Sequence, residues 1–252
     1  MAQVVNGGIR IHYEVEGSGT PLVLLHGLAD TMDGWRDAGW VGALRDRHQL
    51  VLVDARGHGG SDRPRRPEAY AAEAYVRDVV AVLDALAIAQ AHVAGYSLGG
   101  VVAFALAHLA PTRLRSLVVG GAHPYAEDLG AFRALLAGSA DDLVRFVEGR
   151  LGALPGHMRR RLEGNDLEAL RLVVAADRRD VSTGLAERVR AWLLFGGEAD
   201  PRFAGMRRLA CEIGAALVAL PGLDHFQAFQ RSAAVIVAVR DFLARVDSAP
   251  RS

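Results

Sequence analysis

Five residues, Gly95-Tyr96-Ser97-Leu98-Gly99, constrain this chain more than any other stretch of it. A short apolar run at 91–94 precedes them, and Val101, Val102, Ala105, Leu106 and Leu109 follow at helical spacing. That context describes a strand turning sharply into a helix with a serine at the tip. Residues two positions either side of the serine must be small, or they collide with the strand or the helix. Gly95 and Gly99 meet that demand, and Gly100 extends it. In a chain with 28 glycines the pentapeptide could arise by chance, so the flanking strand and helix carry the weight. Ser97 is read as a nucleophile.

Bulk properties narrow the chemistry further. The chain has 252 residues, 51% of them hydrophobic, which suits one sizeable domain or a domain with an insertion. Its formal net charge is zero, so no global field favours nucleic acid or an anionic surface. All 29 basic residues are arginine, which removes Schiff-base and P-loop lysine chemistry together. Cys211, the single cysteine, allows no internal disulfide and no cysteine metal cluster. Its helical, apolar neighbourhood predicts an inert, partly buried thiol. Residues 1–8 lack a basic start followed by a long apolar core, and no apolar stretch approaches membrane-spanning length. The expectation is a cytoplasmic protein without membrane insertion.

Residues 4–15, with Asn6-Gly7-Gly8 among them, read as a hairpin. Apolar runs at 22–25, 50–53, 91–94, 117–119, 192–195 and 216–220 alternate with helical patterns. Runs that are apolar on both faces predict parallel strands covered on each side. Residues 72–86 and 227–246 are each expected to form one amphipathic helix. The predicted fold is α/β, a doubly wound, mostly parallel sheet fed by the hairpin. From 124 to 185 no strand pattern occurs. Four helical patterns follow one another, near 132–136, 143–151, 157–162 and 167–174. An all-helical insertion between strands of a parallel sheet is expected to lie over their C-terminal ends, as a lid. The expected division is therefore 1–123 and 186–252 for the core and 124–185 for the cap.

A serine hydroxyl needs a base within hydrogen-bond reach and a carboxylate to orient it. Of nine histidines, His225 stands on the segment between the last strand and the last helix, at the sheet edge that carries Ser97. His48, His92 and His108 sit in or beside predicted elements and read as structural or surface residues. Asp200 follows a buried strand in Gly196-Gly197-Glu198-Ala199-Asp200-Pro201. The order Ser97, Asp200, His225 suits a nucleophile on such a turn. Glu198 remains a rival on the same loop, while Asp224 reads as a solvated neighbour of the base. The loop after the 117–119 strand, Gly120-Gly121-Ala122-His123-Pro124, offers no carboxylate. An oxyanion would need backbone donors, which the amides of Leu98 and Leu28 could supply. His26 beside Gly27 then shapes the loop that carries Leu28.

With these segments in hand, the chain resembles the α/β-hydrolase superfamily over nearly its whole length. The resemblance rests on His26-Gly27, Asp54-Ala55-Arg56-Gly57-His58-Gly59-Gly60-Ser61, Gly95–Gly100, Gly197–Asp200 and Gly222–His225. It implies a helical cap and a supporting role for Asp54 and Arg56, but no single substrate. A serine departs from the aspartate found in the superfamily's dehalogenases and epoxide hydrolases. Phe226 and Tyr96 depart from the tryptophan and asparagine of its carbon–carbon hydrolases. Enol-lactonases, carbon–carbon bond hydrolases, cofactor-free perhydrolases and a catalytically silent receptor on the same fold stay open as alternatives. The reading made is hydrolysis of a small-molecule carboxylic ester through an acyl-enzyme, with no cofactor, no metal and no nucleic acid. His58 and His123 recur at no metal-ligand spacing. Arg159-Arg160-Arg161 reads as a solvated helix face, with capture of an anionic substrate as the sharper alternative. Oligomeric state is not encoded.

Overall fold

The computed structural model describes residues 2–249. The chain forms an eight-stranded sheet in the order β1-β2-β4-β3-β5-β6-β7-β8. Strands β1 (Ala2–Asn6) and β2 (Ile9–Glu16) make the expected hairpin, and β2 runs antiparallel to β4 (His48–Val53). From β4 onward every pairing is parallel, through β3 (Thr20–Leu25), β5 (Ala91–Tyr96), β6 (Leu114–Gly120), β7 (Trp192–Gly197) and β8 (Ala216–Leu220).

Strand side chains alternate between two faces, and here both faces are covered. Val23 and Leu25 pack with α3 (Ala72–Ala85), α4 (Leu98–Leu109) and α10 (Phe203–Ile213). Leu22 and Leu24 pack on the opposite face with α1 (Asp33–Asp37), α2 (Trp40–Leu44) and α12 (Ala233–Ser248). Trp35 and Trp40 are fully buried there, edge to face with ring centroids 4.8 Å apart. Each such aromatic contact adds about 0.5–1.5 kcal/mol beyond the area it buries. The sheet is doubly wound, as the alternation predicts.

Between β6 and β7 lie α5 (Gly130–Leu136), α6 (Ala140–Leu151), α7 (Gly156–Glu163), α8 (Leu167–Val173) and α9 (Leu185–Arg188). Local sequence sets their starts. Ser139 and Asp142 form a capping box on α6, and Asp166 accepts from Ala169 N on α8. The neck of this insertion is closed by a two-residue antiparallel bridge between Glu127 and Arg178. Polar ties pin the insertion to the core: Arg65 to Asp166 at 2.6 Å, Arg161 to Asp30 and Asp37, and Asn165 Nδ2 to Ala29 O.

Four local expectations are corrected. The helix expected over 227–246 is two helices, α11 (His225–Gln230) and α12. Ser232, fully buried at the break, accepts the Trp40 indole N–H at 2.7 Å, and that tie fixes the turn. Strand β8 lies at the sheet edge, so Ala216 and Ala219 are exposed instead of covered. Cys211 is exposed on the outer side of α10, not partly buried. Asp224 is the N-cap of α11, accepting from Phe226 N and Gln227 N, so it is not merely solvated. Among the described residues no helix is long and apolar enough to cross a membrane.

Candidate active site

Ser97 sits between β5 and α4 with φ 53° and ψ −110°, a left-handed conformation that L side chains rarely adopt. Such a residue costs about 1–3 kcal/mol, offset by the packing that imposes it. That packing admits only glycine on either side. A Cβ on Gly95 would stand 2.2 Å from Gly99 O, and one on Gly99 would stand 2.0 Å from Leu25 O. The turn is tied at both ends, by Ser97 N to Gly120 O at 2.9 Å and Gly99 N to His26 O at 3.0 Å. Tyr96 donates its hydroxyl proton to the backbone oxygen of His225, and its ring lies 5.1 Å from the imidazole, tilted by 40°.

His225 opens α11, and its Nδ1 lies 2.6 Å from Asp200 Oδ2. Asp200 Oδ1 accepts the Arg202 N–H at 3.0 Å, so the carboxylate is satisfied on both oxygens. Burial pushes the Asp200 carboxyl up, but the His225 and Arg202 contacts outweigh it and hold the group below its ordinary value. With Nδ1 engaged, Nε2 is the imidazole nitrogen left for a reacting group. Ser97 and His225 line one cavity, although Ser97 Oγ is not hydrogen bonded to the imidazole. Glu198, the rival carboxylate, is exposed and makes no contact with His225.

The loop after β3 is braced by two histidines. His26 Nε2 accepts the Ala55 N–H at 3.0 Å, which leaves its Nδ1–H to donate to Gly27 O at 2.8 Å. His58 Nε2 accepts the Ala29 N–H at 3.2 Å, and its Nδ1–H points at Arg56 O. Burial lowers the His58 imidazole to about 3, so it stays an acceptor at neutral pH. Ala29 N and Asp30 N are thus consumed within the fold, the latter by Gly27 O. The amides of Leu28 and Leu98 have no partner among the described residues, and both residues flank the serine. Gly27 lies against Ser97, where a Cβ would meet Ser97 Cβ at an ordinary 3.5 Å.

Asp54 and Arg56 act as scaffolding. Asp54 accepts from Met32 N, Gly60 N and His12, while buried Arg56 forks onto Asp78 through two bonds of 2.6 Å. Three contributors escaped the sequence reading. His58 belongs to the Asp54–Ser61 segment, but the sequence alone assigns it no role in bracing the loop after β3; its place beside Asp54 is the available signal. Gly121, with φ 59°, leaves room for His225 Cε1, which a Cβ would approach to 2.8 Å. Arg202 follows the predicted acid by two residues and was passed over.

The cavity above Ser97 is walled by the insertion. Phe132, Leu136, Leu143 and Phe146 face it, as do Phe226 and Phe229 of α11. Leu170 instead is fully buried in the insertion's own core. Arg161 is no solvated residue: it lines the cavity, held by Asp30 at 2.9 Å and Asp37 at 2.8 Å. Burial pushes the Asp30 carboxyl up against the pull of Arg161. Arg159 pairs with Glu148 and Glu163 at the surface. Among the described residues no group of three or more His, Cys, Asp or Glu side chains is placed to hold a metal ion.

Comparison with known proteins follows the same lines. Residues 20–203 match a family model described as the alpha/beta hydrolase fold. A 2-hydroxymuconate semialdehyde hydrolase of a Pseudomonas species is 35% identical over 136 residues, 51% of this chain and 47% of that protein. A protein of Azorhizobium caulinodans, provisionally named carbamate hydrolase RutD, is 40% identical over 113 residues, 45% of this chain and 41% of its own length. The chain's matches thus span less than half the length of these curated relatives. The enol-lactonase of Burkholderia xenovorans superposes with a TM-score of 0.81 at 25% identity, covering 96% of this chain and 100% of that one.

Proposed function

The chain belongs to the α/β-hydrolase fold family, and from that premise we propose that it is a serine hydrolase cleaving small-molecule carboxylic esters through an acyl-enzyme. One observation carries the reading: the His225–Asp200 pair, 2.6 Å apart, opens onto the same cavity as a serine held at a strained turn. A binding protein has no physical need for an oriented, buried imidazole–carboxylate pair beside a strained serine.

In the proposed reaction Ser97 Oγ attacks the ester carbonyl and passes its proton to His225 Nε2. Asp200 keeps the imidazole in the tautomer with Nδ1–H and stabilises its protonated form. The negative oxygen of the tetrahedral intermediate falls to the Leu28 and Leu98 amides, the latter also at the N-terminus of α4. His225 then protonates the departing alcohol. A water, deprotonated by His225, attacks the acyl carbonyl; the bond to Ser97 Oγ then breaks, the imidazolium returns the proton to that oxygen, and the acid is released. In this reading residues 1–123 and 186–252 form the core, 124–185 form the cap, and the apolar cap wall receives an apolar acyl group. The likeness to an enol-lactonase favours one second reading, the same chemistry on a cyclic ester.

The purified chain is expected to turn over short p-nitrophenyl esters, and a panel of esters and lactones ranks the two readings. Ser97→Ala should keep the fold and lose turnover on the order of a million-fold. Near wild-type hydrolysis by that variant would show that Ser97 is not the nucleophile.

A further inference from the structure

The proposed mechanism uses one oxygen of Asp200. The other faces Arg202, whose backbone N–H donates to Oδ1 at 3.0 Å and whose Nη1 stands 3.9 Å from the same atom. The Arg202 side chain is only 9% exposed, and its Nη2 lies 2.5 Å from Glu127 Oε1. Glu127 Oε2 in turn takes Arg178 Nη1 at 2.5 Å, and the backbones of Glu127 and Arg178 bridge the two ends of the cap. An alternating series of charges therefore runs from His225 through Asp200, Arg202 and Glu127 to Arg178. It leads from the imidazole to the neck of the cap. The Arg202 guanidinium also lies 5.3 Å over the ring of Phe132, a cavity-wall residue.

We propose that Arg202 and Glu127 are positioning residues, through which the neck of the cap sets how strongly Asp200 holds the protonated imidazole of His225. The inference rests on the role of His225 proposed above. In a buried series each charge is felt by the next, because little water intervenes. Burial pushes Glu127 up, yet Arg178 and Arg202 together hold it below the usual carboxylate range. It is therefore a full negative charge that partly cancels Arg202. Other ionisable groups facing this series are Asp224 on α11, the Tyr96 phenol on β5 and His123 after β6. Tyr75 on α3 faces Arg178 in the same way. None of these groups is substituted in the test below, and His123, which feels both Glu127 and Arg202, is told apart from His225 by the resonance assignment.

Removing the Arg202 cation leaves Asp200 less compensated, which favours imidazolium. Removing the Glu127 anion leaves Arg202 less compensated, which disfavours it. The two changes must act in opposite directions. The experiment follows the His225 ring in the full chain by NMR against pH, with the resonance identified from its absence in His225→Asn. Arg202→Gln should raise the His225 midpoint, and Glu127→Gln should lower it, each by roughly half a pH unit, less than a directly touching charge gives. Arg202→Lys, which keeps the charge, should stay near the wild type. Ring titration needs no substrate, so it stands apart from the esterase reading. If that reading holds, the acid limb of kcat/KM moves with each midpoint. If no ester is turned over, the reading fails and the NMR result still decides the inference. Midpoints within about 0.2 unit of wild type, or both variants moving the same way, would overturn it. Should Arg202→Gln not fold, the near-isosteric Glu127→Gln must still lower the midpoint, and an unmoved value overturns the proposal.

Discussion

Two carboxylates share the loop after β7, and residue-scale geometry separates them. Asp200 is buried against the imidazole and Glu198 points into solvent. Asp200→Asn should therefore lower ester turnover about ten-thousand-fold, because an amide there stabilises the wrong tautomer and no longer offsets the imidazolium charge. Glu198→Gln should cost within roughly tenfold, an exposed carboxylate contributing at most about a kilocalorie per mole. Rates of both variants on one ester settle the assignment, and a crippled Glu198→Gln with a normal Asp200→Asn would reverse it. The three groups of the proposed triad can be picked out in sequence because each sits next to its own local signal. Ser97 has its glycines, Asp200 closes a buried strand, and His225 follows the last strand. Arg202, Glu127 and Arg178 were not legible. Their pairing joins positions up to 75 residues apart in number, and nothing in local spacing marks an arginine as buried.

The helices between β6 and β7 carry both packing residues and cavity-lining residues. Their existence was readable from the loss of strand pattern after β6, and α5 to α8 fall on the four predicted patterns. Which face looks inward was not, since an apolar stripe serves a core or a cavity equally well. Leu170 has no exposure and packs within the cap, while Phe146 is half-buried and lines the cavity. Leu170→Ala should cost about 2–5 kcal/mol of stability and leave the ranking of acyl chain lengths unchanged. Phe146→Ala should do the reverse, favouring longer chains with little change in Tm. Chain-length series and thermal melts on both variants provide the check, and matching effects would show that the two residues are not so divided. Short α1 and α2 went unread because five residues are too few to display a helical period. The break before α12 escaped for a tertiary reason: the Trp40–Ser232 bond that fixes it crosses 192 positions.

At the scale of the whole molecule, buried neutral histidines make the fold sensitive to mild acid. Burial lowers His58 to about 3 and His92 to about 4, in the latter case against the pull of Asp247. His48 and His123 are lowered in the same way, chiefly by burial. Each of these imidazoles takes up its proton at lower pH in the folded chain than once unfolded, where it does so near 6.5. Between pH 6.5 and 5 the unfolded state therefore binds more protons than the folded one, so stability rises with pH across that window. Unfolded carboxylates titrate near 4, and Asp30, which burial pushes up in the folded chain, opposes the trend as one group against four histidines. Every such histidine adds up to about 1.4 kcal/mol per pH unit to the slope. His92, held by Ser116 Oγ at 2.6 Å and Asp247 Oδ1 at 3.1 Å, links β5 to α12 and is the clearest single case. Denaturant midpoints measured at half-unit steps from pH 7 to 5 should fall steadily toward acid. His92→Asn, although less stable at pH 7, should show a shallower fall by up to one proton's worth. A midpoint that stayed flat, or rose on acidification, would mean that these imidazoles are protonated in the folded protein and that the acceptor role given to His58 beside Ala29 is wrong.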